Sequence, residues 1–532
     1  MARQKSENRV VPQARRKARP TRGDEGLGGG KAVPVKEVDV QLQLSFATAE
    51  NRREERRAEG LNSPKPLVER GQKAPKAKGK VETVRPATME EVVMRLNEAL
   101  EKVAANKGAP GPDRRTVTEV RKRWSSILPE LACALRDGSY QPGDIRRVWI
   151  PKSGGGERGL GIPNVVDRVV QEAVRQVLEP LYEPGFHPSS HGFRPGRSCH
   201  TAIAEAKGYV AEGYHWVVDM DLEKFFDRVN HQRLMSRLAL RVHDRPLMVL
   251  IGQMLKANVV MPDGVRVHTE EGVPQGGPLS PLLSNIVLSE LDEELARRGL
   301  RFVRYADDCN IYVRSERAGQ RVMASIQQFI ERRLRLKVNQ KKSAVARPET
   351  RHFLGFRLLP TVEGPPAVLL SERSVRRLQD RVRELTPRAR GETLNAALQR
   401  VNGYLLGWSA FFGICSPGIS LLLSRTDAHI RRRLRAFLLK QWKRKRTIAH
   451  RLIALGVKPK TAWKNVYEGR RSLWALSHTP AVNRATNLAF FAKKGLVSLL
   501  DRFNTIWANN AAPRQLALPW DTSRSSADRR RG

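Results

Sequence analysis

The sequence has little of what marks several common classes of protein. It contains only four cysteines, Cys133, Cys199, Cys309 and Cys415, and none of them forms a C-x-x-C pair. Neither a zinc ribbon nor a disulfide framework is therefore supported. No stretch approaches the roughly 18 consecutive apolar residues of a membrane span. The N-terminus, MARQKSENRV, has no apolar core that would suit a signal peptide. These absences predict a reducing, cytoplasmic setting without a membrane partner.

Acidic residues are scarce relative to basic ones. The 532 residues include 96 Lys and Arg but only 54 Asp and Glu, which gives a net charge of +42. Such an imbalance causes self-repulsion unless a polyanion relieves it, and every phosphate that is neutralised releases a counterion. Nucleic acid is therefore the expected partner. On composition alone, a basic protein kept soluble by its charge remains the alternative.

The composition changes along the chain. Residues 1–87 are rich in Arg, Lys, Gly, Pro and Glu, which predicts a disordered basic extension, and residues 511–532 predict a disordered tail. Between residues 88 and 365, strand and helix patterns mix without a regular β-α-β repeat, and this favours an α+β domain with an antiparallel sheet. After residue 366 the strand signals fade and helical periodicity dominates.

Three aspartates stand out because apolar residues surround them. Asp307 and Asp308 lie in RYADDCNIYV between two predicted strands, and Asp221 ends another predicted strand. Adjacent carboxylates at an apolar hairpin are costly unless a cation compensates their charge. Three carboxylates at strand ends can hold two Mg²⁺ ions, an arrangement that suits phosphoryl transfer. Taken alone, Asp307 and Asp308 fit an ordinary turn equally well.

The segment Tyr305-Ala306-Asp307-Asp308 resembles the YxDD box of reverse transcriptases, in the alanine form typical of bacterial group II intron-encoded enzymes. Further segments resemble this family in the same order: NKGAPGPD, RRVWIPKSGGGERGLGIPNVVDRVVQEAV, HGFRPGRSCHTAI, DLEKFFD, GVPQGGPLSPLLSNIVLSELD and FLGF. Each is a weak signal by itself, but their common order makes the resemblance specific. The register of DLEKFFD selects Asp221 over Asp219. Gly159 and Pro112 depart from the family pattern.

The resemblance implies an α+β right-hand polymerase followed by an all-α region. Fingers and palm would occupy residues 88–365, a helical thumb residues 366–450, and an RNA-binding maturase region residues 451–510. The implied reaction is RNA-directed DNA synthesis from deoxynucleoside triphosphates. Two Mg²⁺ ions would be held by the carboxylates of Asp221, Asp307 and Asp308.

Four further residues match family positions that contact the incoming nucleotide. Lys152 and Arg158 match basic residues that touch the triphosphate. Phe226 matches the steric gate against the ribose 2′ hydroxyl, and Gln275 would lie under the nucleotide and template. Other interpretations stay open for each: ordinary surface charges for Lys152 and Arg158, a core aromatic for Phe226, and a β-turn for Gln275.

The segment DAHIRRRLRAFLLKQWKRKR interleaves cations with aromatic residues. This pattern suits binding to a phosphate backbone with stacking, although a solvated amphipathic helix has a similar composition. The segments VNGYLLGWSAFFG and KTAWKNVYEGRRSLWALSHTPAVNRATN resemble the family's thumb and maturase region. The candidate RNA-binding residues are Arg431, Arg432, Arg433, Arg435, Trp442, Lys443 and Arg444.

The partners implied by the resemblance are the parent group II intron RNA, whose splicing the protein would assist, and an RNA template with a DNA primer or target DNA. Such a protein supports retrohoming of a mobile element, within a nucleoid-associated ribonucleoprotein of the bacterial cytoplasm. The lack of paired cysteines predicts no attached HNH endonuclease and suggests a class C-like member. Two alternatives remain: a splicing cofactor with a vestigial polymerase, and a reverse transcriptase of a retron or phage-defence system. The sequence does not indicate the oligomeric state.

Overall fold

The structure, a computed structural model, describes residues 86–151, 156–387, 391–468 and 472–511. These residues all fall within one unit of the chain, Ala77–Gly532. Lys152, residues 1–85 of the predicted basic extension, and the predicted tail beyond residue 511 lie outside the described residues.

Strands occur only in the first three quarters of the described residues. They are β1 (Ile145–Pro151), β2 (Glu157–Ile162), β3 (Trp216–Met220), β4 (Val259–Val260), β5 (Arg266–Val267), β6 (Arg301–Tyr305), β7 (Asp308–Val313), β8 (Ala344–Ala346), β9 (Phe356–Leu359) and β10 (Ala367–Leu370). They form a first sheet in the order β2-β1-β4-β5, a central sheet in the order β6-β7-β3-β8, and a separate β9–β10 hairpin.

Helices precede, separate and follow these strands. They are α1 (Met89–Met94), α2 (Leu96–Ala105), α3 (Val117–Lys122), α4 (Trp124–Asp137), α5 (Val165–Tyr182), α6 (Cys199–Ala211), α7 (His231–Ala239), α8 (Arg245–Leu255), α9 (Ser280–Arg297), α10 (Glu316–Phe329), α11 (Glu372–Leu385), α12 (Leu394–Phe412), α13 (Ser420–Trp442), α14 (Lys445–Ala454), α15 (Pro459–Tyr467), α16 (Leu473–Leu476), α17 (Pro480–Ala485), α18 (Leu488–Lys493) and α19 (Leu499–Ala511). In this part of the chain, no helix combines the length and apolar character required to cross a membrane.

The central sheet is antiparallel throughout and is covered on both faces. On β3, Val218 packs into one core with α5, α9 and α10, whereas Val217 packs into a second core with α6 and the helices that follow residue 371. On β7, Ile311 and Tyr312 divide between the two cores in the same way. This alternation follows from the two-residue period of a strand, and burial on both faces explains why these strands are largely apolar.

The predicted mixture of helices with an antiparallel sheet is confirmed, with three local corrections. The apolar spacing from Val165 onwards predicts a helix that ends at Pro180, but α5 continues to Tyr182. A proline near the end of a helix removes only one backbone hydrogen bond there, so the last turn can persist. The region after residue 366 is not entirely helical, because β10 pairs with β9 before the first long helix begins. The first sheet also contains one parallel pair, β1 with β4.

The C-terminal helices enclose a small third core. Leu439 near the end of α13 packs there with Ile448 and Leu452 of α14 and with residues of α15 and α17. Because this core shares no buried residue with the other two, α14–α17 form a distinct cluster at the end of α13.

Candidate active site

A tight hairpin carries two of the predicted catalytic aspartates. β6 and β7 pair with Tyr305 opposite Asp308, so Ala306 and Asp307 form the two-residue turn between the strands. Ala306 has a φ of 57°. Two-residue hairpin turns use this left-handed conformation, which costs a residue with a Cβ roughly 1–2 kcal/mol. The predicted hairpin is confirmed, and its second strand begins at Asp308 itself.

The register of the central sheet places Asp221 beside this hairpin. Met220 of β3 is paired with Cys309 of β7, so extending the register by one residue sets Asp221 opposite Asp308. Opposite residues of an antiparallel pair point to the same face, with Cβ atoms about 4.5–5.5 Å apart. The three aspartates expected from the sequence therefore lie at the same end of the two inner strands.

A lysine that was not singled out from the sequence flanks Asp221 on its other side. Nζ of Lys342 lies 3.4 Å from Oδ2 of Asp221. The backbone of Asp221 is also fixed from this side: its N–H donates to Oγ of Ser343 over 3.0 Å, and its carbonyl accepts from the N–H of Asn339 over 2.8 Å. Lys342 thus supplies a positive charge next to the carboxylates.

Two of the carboxylates, Asp307 and Asp308, have raised pKa values. The side chain of Asp308 has exposed surface, yet many protein atoms surround it. This partial desolvation, followed by the negative charges of Asp307, Asp219 and Asp221, raises the pKa of Asp308 to about 7. Desolvation is also the main cause of the raised pKa of Asp307. The site therefore holds more negative charge than its own side chains neutralise.

Asp219 differs from Asp221 in having an arginine of its own. Its Oδ2 accepts hydrogen bonds from Nε and Nη2 of Arg351 over 2.8 and 2.5 Å. The same guanidinium donates to the carbonyl of Lys342 over 2.6 Å. A carboxylate engaged in this way is less available to a cation than Asp221, which is consistent with the choice of Asp221 from the sequence.

The donor chemistry of the site suits Mg²⁺. Its ligands would be carboxylate oxygens, and their mutual repulsion favours a bound cation. Among the described residues, no group of three or more His, Cys, Asp or Glu side chains is gathered closely enough to hold a metal ion by itself. Mg²⁺ usually binds through one or two carboxylates while keeping water and substrate phosphates as its other ligands. A site in which protein side chains supply only some of the ligands is thus compatible with Mg²⁺.

Two of the predicted nucleotide-contacting residues, Arg158 and Gln275, are hydrogen-bonded to each other. Nε of Arg158 on β2 donates to Oε1 of Gln275 over 2.6 Å. The backbone continues the link, because the N–H of Gly161 donates to the carbonyl of Gln275 over 2.7 Å. The positive charge of Arg158 also opposes the rise in the pKa of Asp307. Arg158 and Gln275 therefore form one wall beside the carboxylates.

Phe226 lies in the segment that leads away from Asp221. Its ring meets that of Phe225 edge-on with centroids 5.2 Å apart, and both side chains are buried. Its carbonyl accepts from the N–H of Val273 over 2.6 Å, which ties this segment to the loop before Gln275. Both phenylalanines thus have core contacts, and the role of Phe226 as a steric gate stays a prediction.

Comparison with known proteins identifies the domains that carry these features. Residues 150–358 match the family described as reverse transcriptase (RNA-dependent DNA polymerase), and residues 375–453 match the group II intron, maturase-specific domain. Protein YkfC of Escherichia coli (strain K12) is 35% identical over 305 residues, which cover 50% of this chain and 80% of that protein. The chain belongs to the family of group II intron-encoded reverse transcriptases and maturases.

Two further relatives are intron proteins. Group II intron-encoded protein LtrA of Lactococcus lactis subsp. cremoris is 43% identical over 179 residues, 33% of this chain and 29% of LtrA. Putative COX1/OXI3 intron 2 protein of Saccharomyces cerevisiae (strain ATCC 204508 / S288c) is 34% identical over 173 residues, 32% of this chain and 20% of that protein. The chain therefore matches less than a third of the length of these two relatives.

The maturase-specific match of this group II intron-encoded reverse transcriptase lies mainly over residues predicted as thumb, 366–450, rather than over 451–510. Helix α13 within it carries several of the predicted RNA-binding residues. Nε of Arg433 donates to Oγ1 of Thr386 over 2.5 Å, and the guanidinium of Arg435 donates to the carbonyl of Thr486 over 2.8 and 3.0 Å. Burial lowers the pKa of Arg435 to about 10.

The remaining candidates differ in exposure. Arg432 lies 4.0 Å above the ring of Trp474, and Trp442 packs against the third core, whereas Lys443 and Arg444 are exposed beyond the end of α13. Arg433 and Arg435 connect parts of the protein to each other, and their role in RNA binding stays a prediction. The sequence pattern could not distinguish inward from outward arginines.

Arg304 was not singled out from the sequence, although it is the largest fully buried side chain in the described residues. It forms a 2.6 Å ion pair with Asp292 of α9. The available signal was an arginine between apolar strand residues, three positions before Asp307. A buried arginine is rare unless it is paired, so this position could have been recognised as one that needs a partner.

Proposed function

We propose that this protein is an RNA-directed DNA polymerase whose catalytic residues are Asp221, Asp307 and Asp308. The observation that carries the proposal is their convergence at the ends of β3 and the β6–β7 hairpin, within the matched reverse transcriptase domain. The raised pKa of Asp308, caused by desolvation and then by the neighbouring carboxylates, supports binding of divalent cations. Two bound Mg²⁺ ions would supply activation of a primer 3′ hydroxyl and charge neutralisation on the triphosphate.

The side chains around the carboxylates have separate roles in this proposal. Arg158 would bind a phosphate of the incoming deoxynucleotide, and Gln275 would orient its guanidinium through the 2.6 Å hydrogen bond. Phe226, buttressed by Phe225, would exclude a ribose 2′ hydroxyl. Lys342 would limit the repulsion among the acids before substrate binds. Lys152 would be a second phosphate contact, proposed from its place in the sequence.

We also assign the described parts to a right-hand polymerase. The first sheet with α1–α5 would be the fingers, the central sheet the palm, and the helices from α11 onwards the thumb and maturase region. The position of the three carboxylates on the central sheet supports this assignment. The substrate would be an RNA template carrying a DNA primer or target DNA.

A second, non-catalytic function is binding of the parent group II intron RNA to assist its splicing. The match to the maturase-specific domain supports it, as do Lys443 and Arg444 at the exposed end of α13. The same match favours an intron protein over a retron or phage-defence enzyme. Together the two activities would support retrohoming by a nucleoid-associated ribonucleoprotein of the bacterial cytoplasm.

Asp307→Ala tests both functions in one protein. We expect cDNA synthesis by the full chain on a primed RNA template to vanish, while stimulation of intron splicing at low Mg²⁺ persists. Asp263→Ala, which changes an exposed aspartate far along the chain from the hairpin, is the matched control and should retain both activities. If Asp307→Ala loses both activities while Asp263→Ala keeps both, the proposed division between a polymerase site and an RNA-binding surface is contradicted.

A further inference from the structure

A buried guanidinium lies directly beneath the catalytic hairpin. Arg304 has no exposed surface, and its guanidinium makes five hydrogen bonds: two to Asp292 over 2.7 and 2.6 Å, and one each to Asn285, Ser190 and the carbonyl of Ala306 over 3.0, 2.7 and 2.9 Å. An arginine side chain has five N–H donors. Every donor is therefore in use, and one of them is bonded to the first residue of the turn.

The turn is also held from a second direction. A Cβ added to Gly192 would lie 2.2 Å from the backbone nitrogen of Ala306 and 2.9 Å from the carbonyl carbon of Tyr305, so the two backbones are in direct contact. Only glycine permits such an approach. The carbonyl of Gly192 accepts from Nδ2 of Asn285 over 2.8 Å, and Oδ1 of the same amide accepts from Arg304.

These contacts form a closed circuit through Arg304, Asn285, Gly192 and Ala306. Its members come from β6, from α9 and from the loop before α6, so the circuit joins three elements that are distant in the sequence. Asp292 neutralises the guanidinium within the same helix as Asn285. Because Asp292 and Asn285 are both buried, the effect of this circuit on the site must pass through the backbone of the turn.

We propose that Arg304 is a positioning residue that fixes the turn at Ala306–Asp307, and thereby the spacing of the catalytic carboxylates. The inference rests on the proposed polymerase function. An ordinary buried ion pair would require only Asp292, which already receives two of the donors. The hydrogen bond to the Ala306 carbonyl and the Gly192 contact are specific to the turn, and they predict effects on catalysis beyond those on stability.

Arg304→Lys is the first test, because removing the charge altogether would leave Asp292 buried without a partner. Lysine keeps the positive charge but has three donors on one nitrogen and cannot serve four residues at once. We expect kcat for primer extension to fall about 100-fold, since small displacements of reacting groups have effects of this size, with the KM for deoxynucleotide nearly unchanged.

Two further measurements do not depend on turnover. Amide hydrogen exchange in the peptide that contains Ala306–Asp308 should become faster in Arg304→Lys, and binding of Mn²⁺, followed by electron paramagnetic resonance, should weaken about tenfold. Gly192→Ala provides a second route to the same turn, because it leaves Arg304 intact and displaces Ala306 directly. It should reproduce the low kcat, the faster exchange and the weaker Mn²⁺ binding.

Matched controls are Arg136→Lys, at an exposed ion pair with Glu90, and Gly208→Ala, where nothing lies within 4 Å of an added Cβ. Both should behave as wild type. The proposal is overturned if Arg304→Lys and Gly192→Ala fold and keep wild-type kcat, exchange and Mn²⁺ binding, or if binding of intron RNA falls in parallel with kcat. Absence of cDNA synthesis by the wild type would refute the polymerase function instead, while exchange and Mn²⁺ binding would still decide the role of Arg304.

Discussion

Nε of Arg158 donates a hydrogen bond to Oε1 of Gln275 over 2.6 Å, joining segments 117 residues apart in the chain. Both residues were predicted separately to contact the incoming nucleotide, and the structure makes them one unit. We expect Gln275→Ala to raise the KM for deoxynucleotide about tenfold, or about 1.4 kcal/mol, because Arg158 loses its fixed orientation. Primer-extension kinetics on a homopolymer template would measure the change.

A double-mutant cycle separates orientation from direct contact. If Gln275 acts through Arg158, then Arg158→Ala and the double variant should have nearly the same KM, because the two effects are not additive. Gln320→Ala, at an exposed position of α10, is the control and should leave the KM unchanged. Fully multiplicative effects in the double variant would show that Gln275 contacts the substrate independently.

Substitutions of Asp219 on β3 and of Asp221 just after its end should have different effects. Asp221→Asn should reduce kcat on the order of 10³-fold or more, because a ligand for the cations is lost. Asp219→Asn should reduce kcat about tenfold at most, and should lower the melting temperature, because Arg351 loses its partner. Single-turnover primer extension and thermal melting of both variants would test this. A larger loss of kcat in Asp219→Asn would reverse the assignment.

The pKa of His352 predicts the response of stability to acid. Burial, followed by the positive charges of Arg373, Arg377 and Arg351, lowers this pKa to about 4 from an ordinary 6.5. The unfolded chain therefore binds more protons than the folded protein between these values. The free energy of unfolding should fall as the pH is lowered from 6.5 to 4. Above pH 6.5 this group should have no effect.

His352→Gln removes the titrating group while keeping a side chain that can bond to Oγ of Ser371. Denaturant unfolding of the full chain at several pH values should give a shallower acid dependence for this variant than for wild type. His268→Gln, at an exposed histidine, serves as the control and should follow the wild-type curve. Parallel curves for His352→Gln and wild type would mean that another group causes the acid sensitivity.

The last helix is anchored by an acid from a different helix. The carboxylate of Asp427 on α13 accepts from the N–H groups of Leu499 and Leu500 over 3.0 and 3.1 Å, and from Oγ of Ser498 over 3.0 Å. Asp427→Ala should therefore lower the free energy of unfolding by about 1–3 kcal/mol and speed amide exchange in α19. Asp501→Ala, in the exposed first turn of α19, should have a much smaller effect; equal losses would argue against the capping role.

The features that could be predicted from the sequence depend on residues within short segments. The hairpin at Asp307 and Asp308 follows from two apolar strands around a polar turn. The three-residue spacing of Thr88 and Glu91 predicts the cap of α1, where the N–H of Glu91 donates to the Thr88 hydroxyl over 3.3 Å. The selection of Asp221 depended on its neighbours in the family motif. In each case the decisive residues lie within a few positions of one another.

The features that could not be predicted depend on distant partners. Arg304 and Ser190 are 114 residues apart, and Asp221 and Ser343 are 122 apart. The inward direction of Arg433 is set by Thr386, 47 residues away. No local period encodes such pairings, since charged residues at these positions would look the same on a solvent-facing element. Only the packing of the elements decides which cation is internal.

The three acids stand at the ends of β3 and β7, the two inner strands of the central sheet, with β6 and β8 outside them. Inner strands open last, because hydrogen-bonded neighbours hold them on both sides. Movement of the helices around a passing duplex would leave the spacing between Asp221 and Asp308 intact. We therefore expect different substitutions to affect translocation along a template and the bond-forming step. The rate of translocation could then be changed at peripheral residues without altering the catalytic aspartates.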